Sequence, residues 1–216
     1  MTRLAVFDCD GTLVDSQADV CHSMAEAFVV TGLHAPDMNE VRRLVGLSLP
    51  VAVRRLAPDL EDEQAGAVVA AYKQAFFARR ETGSLHEPLY EGMEALLRSL
   101  HTDGWLLAVA TGKSQRGLTA CLEGHGIAEL FVSLQTADEH PSKPHPAMLE
   151  AALAEAGSST HEAVMIGDTS FDMVMAGNAS VRAIGVAWGY HTGDELIEYG
   201  ASEVARDMDH LKELLT

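Results

Sequence analysis

The chain has 216 residues, 47% hydrophobic and 22% charged, with a formal net charge of −17. That length suffices for a buried core in one large domain or two small ones, and so acidic a balance speaks against nucleic acid or an anionic membrane surface as partners. The opening apolar run is too short for a signal peptide, no stretch reaches the roughly 18–20 apolar residues that span a bilayer, and three scattered cysteines, Cys9, Cys21 and Cys121, make no disulfide framework, so a reduced, cytoplasmic protein is expected.

In chain order, Leu4-Ala5-Val6-Phe7 reads as a short buried strand that runs into Asp8-Cys9-Asp10-Gly11-Thr12-Leu13-Val14-Asp15-Ser16. Ser16-Gln17-Ala18-Asp19 has the pattern of a capping box and opens a helix through Val30. Further helices are predicted over Asp37–Val45, Val51–Leu56 and Asp62–Arg80, with no strand among them. From Pro88 the pattern alternates: helix Pro88–Leu100, strand Trp105–Ala110, helix Ser114–Glu123, strand Leu130–Leu134 and helix Pro146–Glu155. Strand Ala163–Ile166, helix Ser170–Ala176 and strand Arg182–Val186 complete it.

Strands alternating with helices imply an α/β fold: a parallel, Rossmann-like sheet covered on both faces. The strandless stretch reads as an insertion, giving an α/β core over 1–14 and 87–216 and a helical cap over 15–86. Ligands of open parallel sheets sit at the carboxyl ends of strands, so an insertion leaving the first strand there would lie over the site as a lid.

Those ends carry the chemistry. Asp8 and Asp10 follow the first strand and share a direction if extended geometry continues, leaving Cys9 to pack elsewhere. Two carboxylates so close repel unless a positive group intervenes. The next strand ends in Thr111-Gly112-Lys113-Ser114, a hydroxyl and a helix start whose free amides suit a phosphate. Lys143 stands in the stiff loop Pro141-Ser142-Lys143-Pro144-His145-Pro146. Gly167-Asp168-Thr169-Ser170-Phe171-Asp172 follows another strand, with Asp172 one helical turn beyond Asp168. Each fragment has an ordinary reading as turn, cap or surface charge; their joint order describes a site for a cation and an anion. Carboxylate oxygens without His or Cys favour a hard ion, and Mg²⁺ is the usual companion of phosphate.

With these four fragments in order, the chain resembles the phosphatase branch of the haloacid dehalogenase superfamily over essentially its whole length, nearest its phosphoglycolate-phosphatase-like members with a small α-helical cap. The resemblance implies a Mg²⁺-dependent phosphate monoester hydrolase acting on a small phosphorylated metabolite through an aspartyl-phosphate. Asp8 would be the nucleophile and Asp10 the general acid and base. Thr111, Gly112 and Lys143 would bind the phosphoryl group. Asp8, the main-chain carbonyl of Asp10, and Asp168 would hold the metal, with Asp172 behind them.

The acid at Asp10 separates this chain from the dehalogenases of the superfamily. The related sugar-phosphate mutases (β-phosphoglucomutase-like) carry a cap histidine where this chain has Val20, with His22 two residues on. A calcium loop starting at Asp8 lacks its other ligands: Thr12 and Val14 stand at ligand positions and Asp19 where Glu belongs. His140 and His145 flank Lys143 but lack a third zinc ligand. Arg42-Arg43 and Arg54-Arg55 are the cap's candidates for touching substrate.

Overall fold

The computed structural model describes residues 2–215. Strand β1 (Leu4–Phe7) is buried along its whole length. It pairs in parallel with β2 (Leu106–Thr111) on one side and β4 (Ala163–Gly167) on the other. With β3 (Phe131–Thr136), β5 (Arg182–Val186) and β6 (Glu203–Ala205) they form one six-stranded sheet of order β3-β2-β1-β4-β5-β6. Continuous apolar strands suit a sheet covered on both faces.

Residues alternate between two apolar layers. Ala5, Phe7, Val109 and Ile166 pack with α5 (Met93–Thr102), α6 (Gln115–Gly124) and α10 (Met208–Leu215). Leu4, Val6, Ala108 and Met165 pack against α7 (Ala147–Ala156), α8 (Ser170–Asn178) and Leu196 of α9 (Gly193–Glu198). The strand order reverses around β1, so the crevice of such a sheet opens at the carboxyl ends of β1, β2 and β4.

Between β1 and α5 lie four helices, α1 (Gln17–Val30), α2 (Met38–Arg43), α3 (Leu49–Leu56) and α4 (Asp62–Glu81). They bury an apolar cluster of their own, including Met24, Phe28, Val41, Val53 and Val68. The two chain crossings between this layer and the sheet run side by side: Val14 bridges Leu89, and the Asp15 amide donates to the Pro88 carbonyl over 2.9 Å. Among the described residues no helix is long and apolar enough to cross a membrane.

Two local expectations fail. Ser16 is the N-cap of α1, but the capping box is not made. Its hydroxyl donates to Asp10 Oδ1 at 2.6 Å, while Asp19 accepts the His86 amide at 2.7 Å. Both side chains have left the helix for distant partners, which outcompete a local cap. The helix expected from Pro88 begins only at Met93, because Leu89 is engaged in the bridge to Val14. The elements α9, β6 and α10 lie beyond the last strand read from the sequence.

Candidate active site

Extended geometry ends at Phe7, where the Asp8 amide donates to the Ile166 carbonyl at 2.9 Å and the chain turns. The two carboxylates therefore acquire separate partners. Buried Asp8 accepts the Cys9 amide at 2.7 Å and pairs with Lys143 at 2.9 Å, both through Oδ1, while its Oδ2 has no partner. Asp10 accepts the Ser16 hydroxyl and, at 2.7 Å, the ammonium of Lys113. Like-charge repulsion is thus answered by one lysine for each acid.

Lys143 reaches from its loop into full burial and also meets Asp172 Oδ1 at 2.6 Å. Asp172 in turn accepts the Thr169 hydroxyl at 2.7 Å through its other oxygen, so it serves the start of α8 as well as the lysine. Asp168 is fixed on both oxygens, by the Thr12 hydroxyl and the Tyr190 amide, each at 2.9 Å. Thr111, buried at the end of β2, accepts the Lys113 amide at 3.2 Å, and Gly112 follows it. The four strand-end fragments thus line one crevice.

Its electrostatics are those of crowded, dry acids. Burial pushes the Asp8 carboxyl up to about 7, with Asp172 adding to the rise and Lys143 pulling against it. Burial, then the charges of Asp8 and Asp172, hold Asp168 well above the usual carboxylate range. Burial pulls Lys143 and Lys113 down, but their carboxylate partners outweigh it and raise both ammonium groups. Buried acids held high in a cleft mark a place that wants positive charge. Asp8, Asp168 and Asp172 each offer an oxygen, all within 4.8 Å of one another. This all-oxygen set, with Asp8 Oδ2 unpartnered, fits a hard cation such as Mg²⁺.

The helical layer closes over these groups. The loop before α3 brings Gly46 (φ +98°) so near that a Cβ there would lie 3.7 Å from Asp8 Oδ2. A Cβ on Gly112 would lie 2.6 Å from the Gly46 carbonyl oxygen and collide with that of Leu47. Glycine at both positions permits the contact. Beside it, a cavity of about 410 Å³ runs from Asp10, Gly112 and Lys113 up to α1, α3 and α4.

The remaining candidates fall outside this cavity. Arg42 donates to the Gly189 carbonyl at 3.3 Å, Arg43 pairs with Glu195 at 2.6 Å, Arg54 binds Asp62 and the Leu60 carbonyl, and Arg55 lies over Phe171. None of the four lines the cavity; each is engaged with a neighbour outside it. His140 bonds Gln135 and His145 accepts the Ala147 amide, away from any shared ligand position. Cys9 packs in the core, its thiol raised by its contact with Cys121 and by burial, which suits an inert group.

Reading the sequence missed Lys113, Glu87, Ser16, Thr12 and Tyr190. For Lys113 a signal existed: it follows directly on Thr111-Gly112 at a strand end in a chain with only 15 lysines and arginines. Tyr190 and Glu87 carry no such local mark.

Comparison with known proteins agrees with this geometry. The family model described as haloacid dehalogenase-like hydrolase matches residues 5–186. The chain is 36% identical over 199 residues to "Probable phosphatase IndB" of Dickeya dadantii, covering 91% of this chain and 86% of that protein. It is 31% identical over 219 residues to a phosphoglycolate phosphatase of Pseudomonas fluorescens, covering 100% and 79%. A crystal structure of a predicted phosphatase from Clostridium acetobutylicum superposes with a TM-score of 0.89 at 26% identity, over 100% of this chain and 98% of that one. With the strand order and the four strand-end fragments in place, the chain belongs to the haloacid dehalogenase-like hydrolase family.

Proposed function

We propose that the protein hydrolyses phosphate monoesters of small metabolites in two steps, with residues 15–86 as a cap over the site and the cytoplasm, where free thiols such as Cys21 persist, as its setting. The observation that carries this reading is the asymmetry of Asp8: one oxygen is held by Lys143 and the other is free, beside a second acid that faces the cavity.

One carboxylate oxygen of Asp8 attacks phosphorus while the other is left for the cation, and the bond to the substrate's alcohol oxygen breaks as Asp10 gives that oxygen a proton. Asp10 then takes a proton from the water that cleaves the aspartyl-phosphate, releasing phosphate and restoring Asp8. Lys143, Thr111 and the amide of Gly112 hold the phosphoryl oxygens, where charge spreads at the transition state. Lys143, tied to Asp172, also fixes the attacking carboxylate. Asp8, the carbonyl of Asp10 and Asp168 would hold a Mg²⁺, with Asp172 behind, and that ion supplies neutralising charge to the phosphoryl oxygens.

A sugar-phosphate mutase is less well supported. Val20 lines the cavity, His22 is exposed, and among the described residues no histidine lines that cavity. The test is phosphate release from a panel of small phosphorylated metabolites, including phosphoglycolate and glucose 1-phosphate. Hydrolysis releases phosphate with turnover; interconversion of sugar phosphates with little net release would overturn the reading.

A further inference from the structure

Because Asp10 serves the leaving oxygen, the alcohol part of the substrate must occupy the cavity that Asp10 faces; this inference therefore rests on the hydrolase reading. The chemistry of the wall then selects the alcohol. Asp10, Lys113, Ser48, Ser114 and Asp138 line the cavity's core side, while the side facing them is largely apolar: Val20 and Met24 of α1, Leu49 and Leu56 of α3, and the ring face of α4. Tyr72 and Phe76 stack there with centroids 5.7 Å apart and planes 19° from parallel. Lys113 Nζ lies 5.3 Å from the Phe76 centroid and 2.7 Å from Asp10, so the aromatic surface starts one side chain away from the proton donor.

The buried cations near this wall are already paired with acids. Lys113 is shared between Asp10 and Glu87, and Arg80 pairs with Glu87 at 2.9 Å. Arg116 stacks over Phe77 at 3.9 Å from its centroid, and Lys73 is exposed at the rim. A carboxylate on the leaving group would have to displace Glu87 to find a buried partner, and a polyhydroxylated sugar would leave hydroxyls facing leucine, valine and methionine, which burial penalises. At about 410 Å³ the cavity also far exceeds what a two-carbon acid fills.

We propose that the leaving group is an uncharged alcohol bearing a flat ring, and that the substrate is the phosphate monoester of such an alcohol rather than phosphoglycolate or a sugar phosphate. The ring lies along Tyr72, Phe76 and Phe77 in the offset or edge contacts aromatic groups prefer, with its CH₂–O–P linkage at Asp10.

The test compares benzyl phosphate, ethyl phosphate and phosphoglycolate, whose leaving oxygens are all alkoxides, so ring recognition is separated from the reactivity of an aryl ester. The expected kcat/KM for benzyl phosphate exceeds both others by about ten-fold or more, the scale of one well-filled apolar pocket. Phe77→Ala should collapse the benzyl-to-ethyl ratio, and Phe77→Leu should keep most of it. The ratio is read within each variant, so a lowered amount of folded enzyme does not mimic the effect. Phosphoglycolate turned over as well as benzyl phosphate, or a ratio indifferent to Phe77→Ala, overturns the inference and leaves the hydrolase reading standing. No phosphate released from any ester overturns the hydrolase reading, and this inference with it.

Discussion

Lys113 donates to Asp10 across 2.7 Å, and on its other side to Glu87 across 2.6 Å, with all three side chains nearly closed off from solvent. The lysine ties the end of β1, the end of β2 and the second chain crossing to the helical layer into one knot. Arg80 of α4 joins it through Glu87. Replacing Lys113 by Met leaves two buried acids facing each other, and breaking a buried pair this way costs on the order of 3–5 kcal/mol. Urea denaturation of Lys113→Met should show a loss of that size, and adding Glu87→Gln should restore part of it. A loss below about 1 kcal/mol would mean the knot is not a structural tie.

Asp8→Asn should abolish phosphate release, by about 10⁴-fold or more, the scale for removing a nucleophile. Lys143 retains Asp172, and a neutral amide relieves the crowding of Asp168 and Asp172, so the variant should melt no lower than the parent without added metal. Substantial turnover in this variant would refute the nucleophile.

Chelation should silence the enzyme, and Mg²⁺ should restore it. A second readout is independent of turnover: a cation that binds only the folded state raises the melting temperature, increasingly as its concentration exceeds its Kd. Mg²⁺ should raise it in the parent and not in Asp168→Asn. Equal shifts in both would remove Asp168 from the metal site.

Gly112→Ala probes closure. The added methyl would press on the carbonyls of Gly46 and Leu47, forcing the loop before α3 away from Asp8. A misplacement of about 1 Å costs on the order of 10²-fold in rate. We expect kcat/KM to fall by about that factor with little change in melting temperature, because the displaced contact lies between layers rather than inside either apolar core. Unchanged kcat/KM would show that this loop contact does not matter for turnover.

His191 makes the fold sensitive to acid. Its Nδ1 accepts the Ser170 amide at 3.2 Å, so Nε2 carries the hydrogen and donates to the Arg43 carbonyl at 3.2 Å, clasping α2 to the start of α8. Burial lowers its pKa below the usual imidazole value; the Arg43 charge adds to that, while the Arg43 carbonyl, Glu195 and Asp172 oppose it. Below about pH 6.5 the unfolded chain takes up a proton that the folded chain refuses, so stability present above that pH is lost as pH falls. Urea midpoints at pH 7.5 and 5.5 should differ less in His191→Gln than in the parent. An equal difference in both would assign the acid sensitivity to other groups.

The sequence by itself determined the parallel core, the run of helices after its first strand, and which polar residues stand at the strand ends. Those features are written locally: apolar runs of strand length, helical periodicity, and polar residues placed at the carboxyl end of each run. Only the tertiary structure decided which cation answers which acid. Lys113 and Asp10 are separated by 103 positions, and Tyr190 reaches Asp168 from 22 residues away. It also decided that Ser16 and Asp19 abandon their expected cap, and that the cavity wall beside Asp10 is aromatic. A periodic pattern shows which face of a helix is buried but not what it is buried against, so the pairing of distant side chains, and the alcohol they would admit, emerges only once the layers are packed.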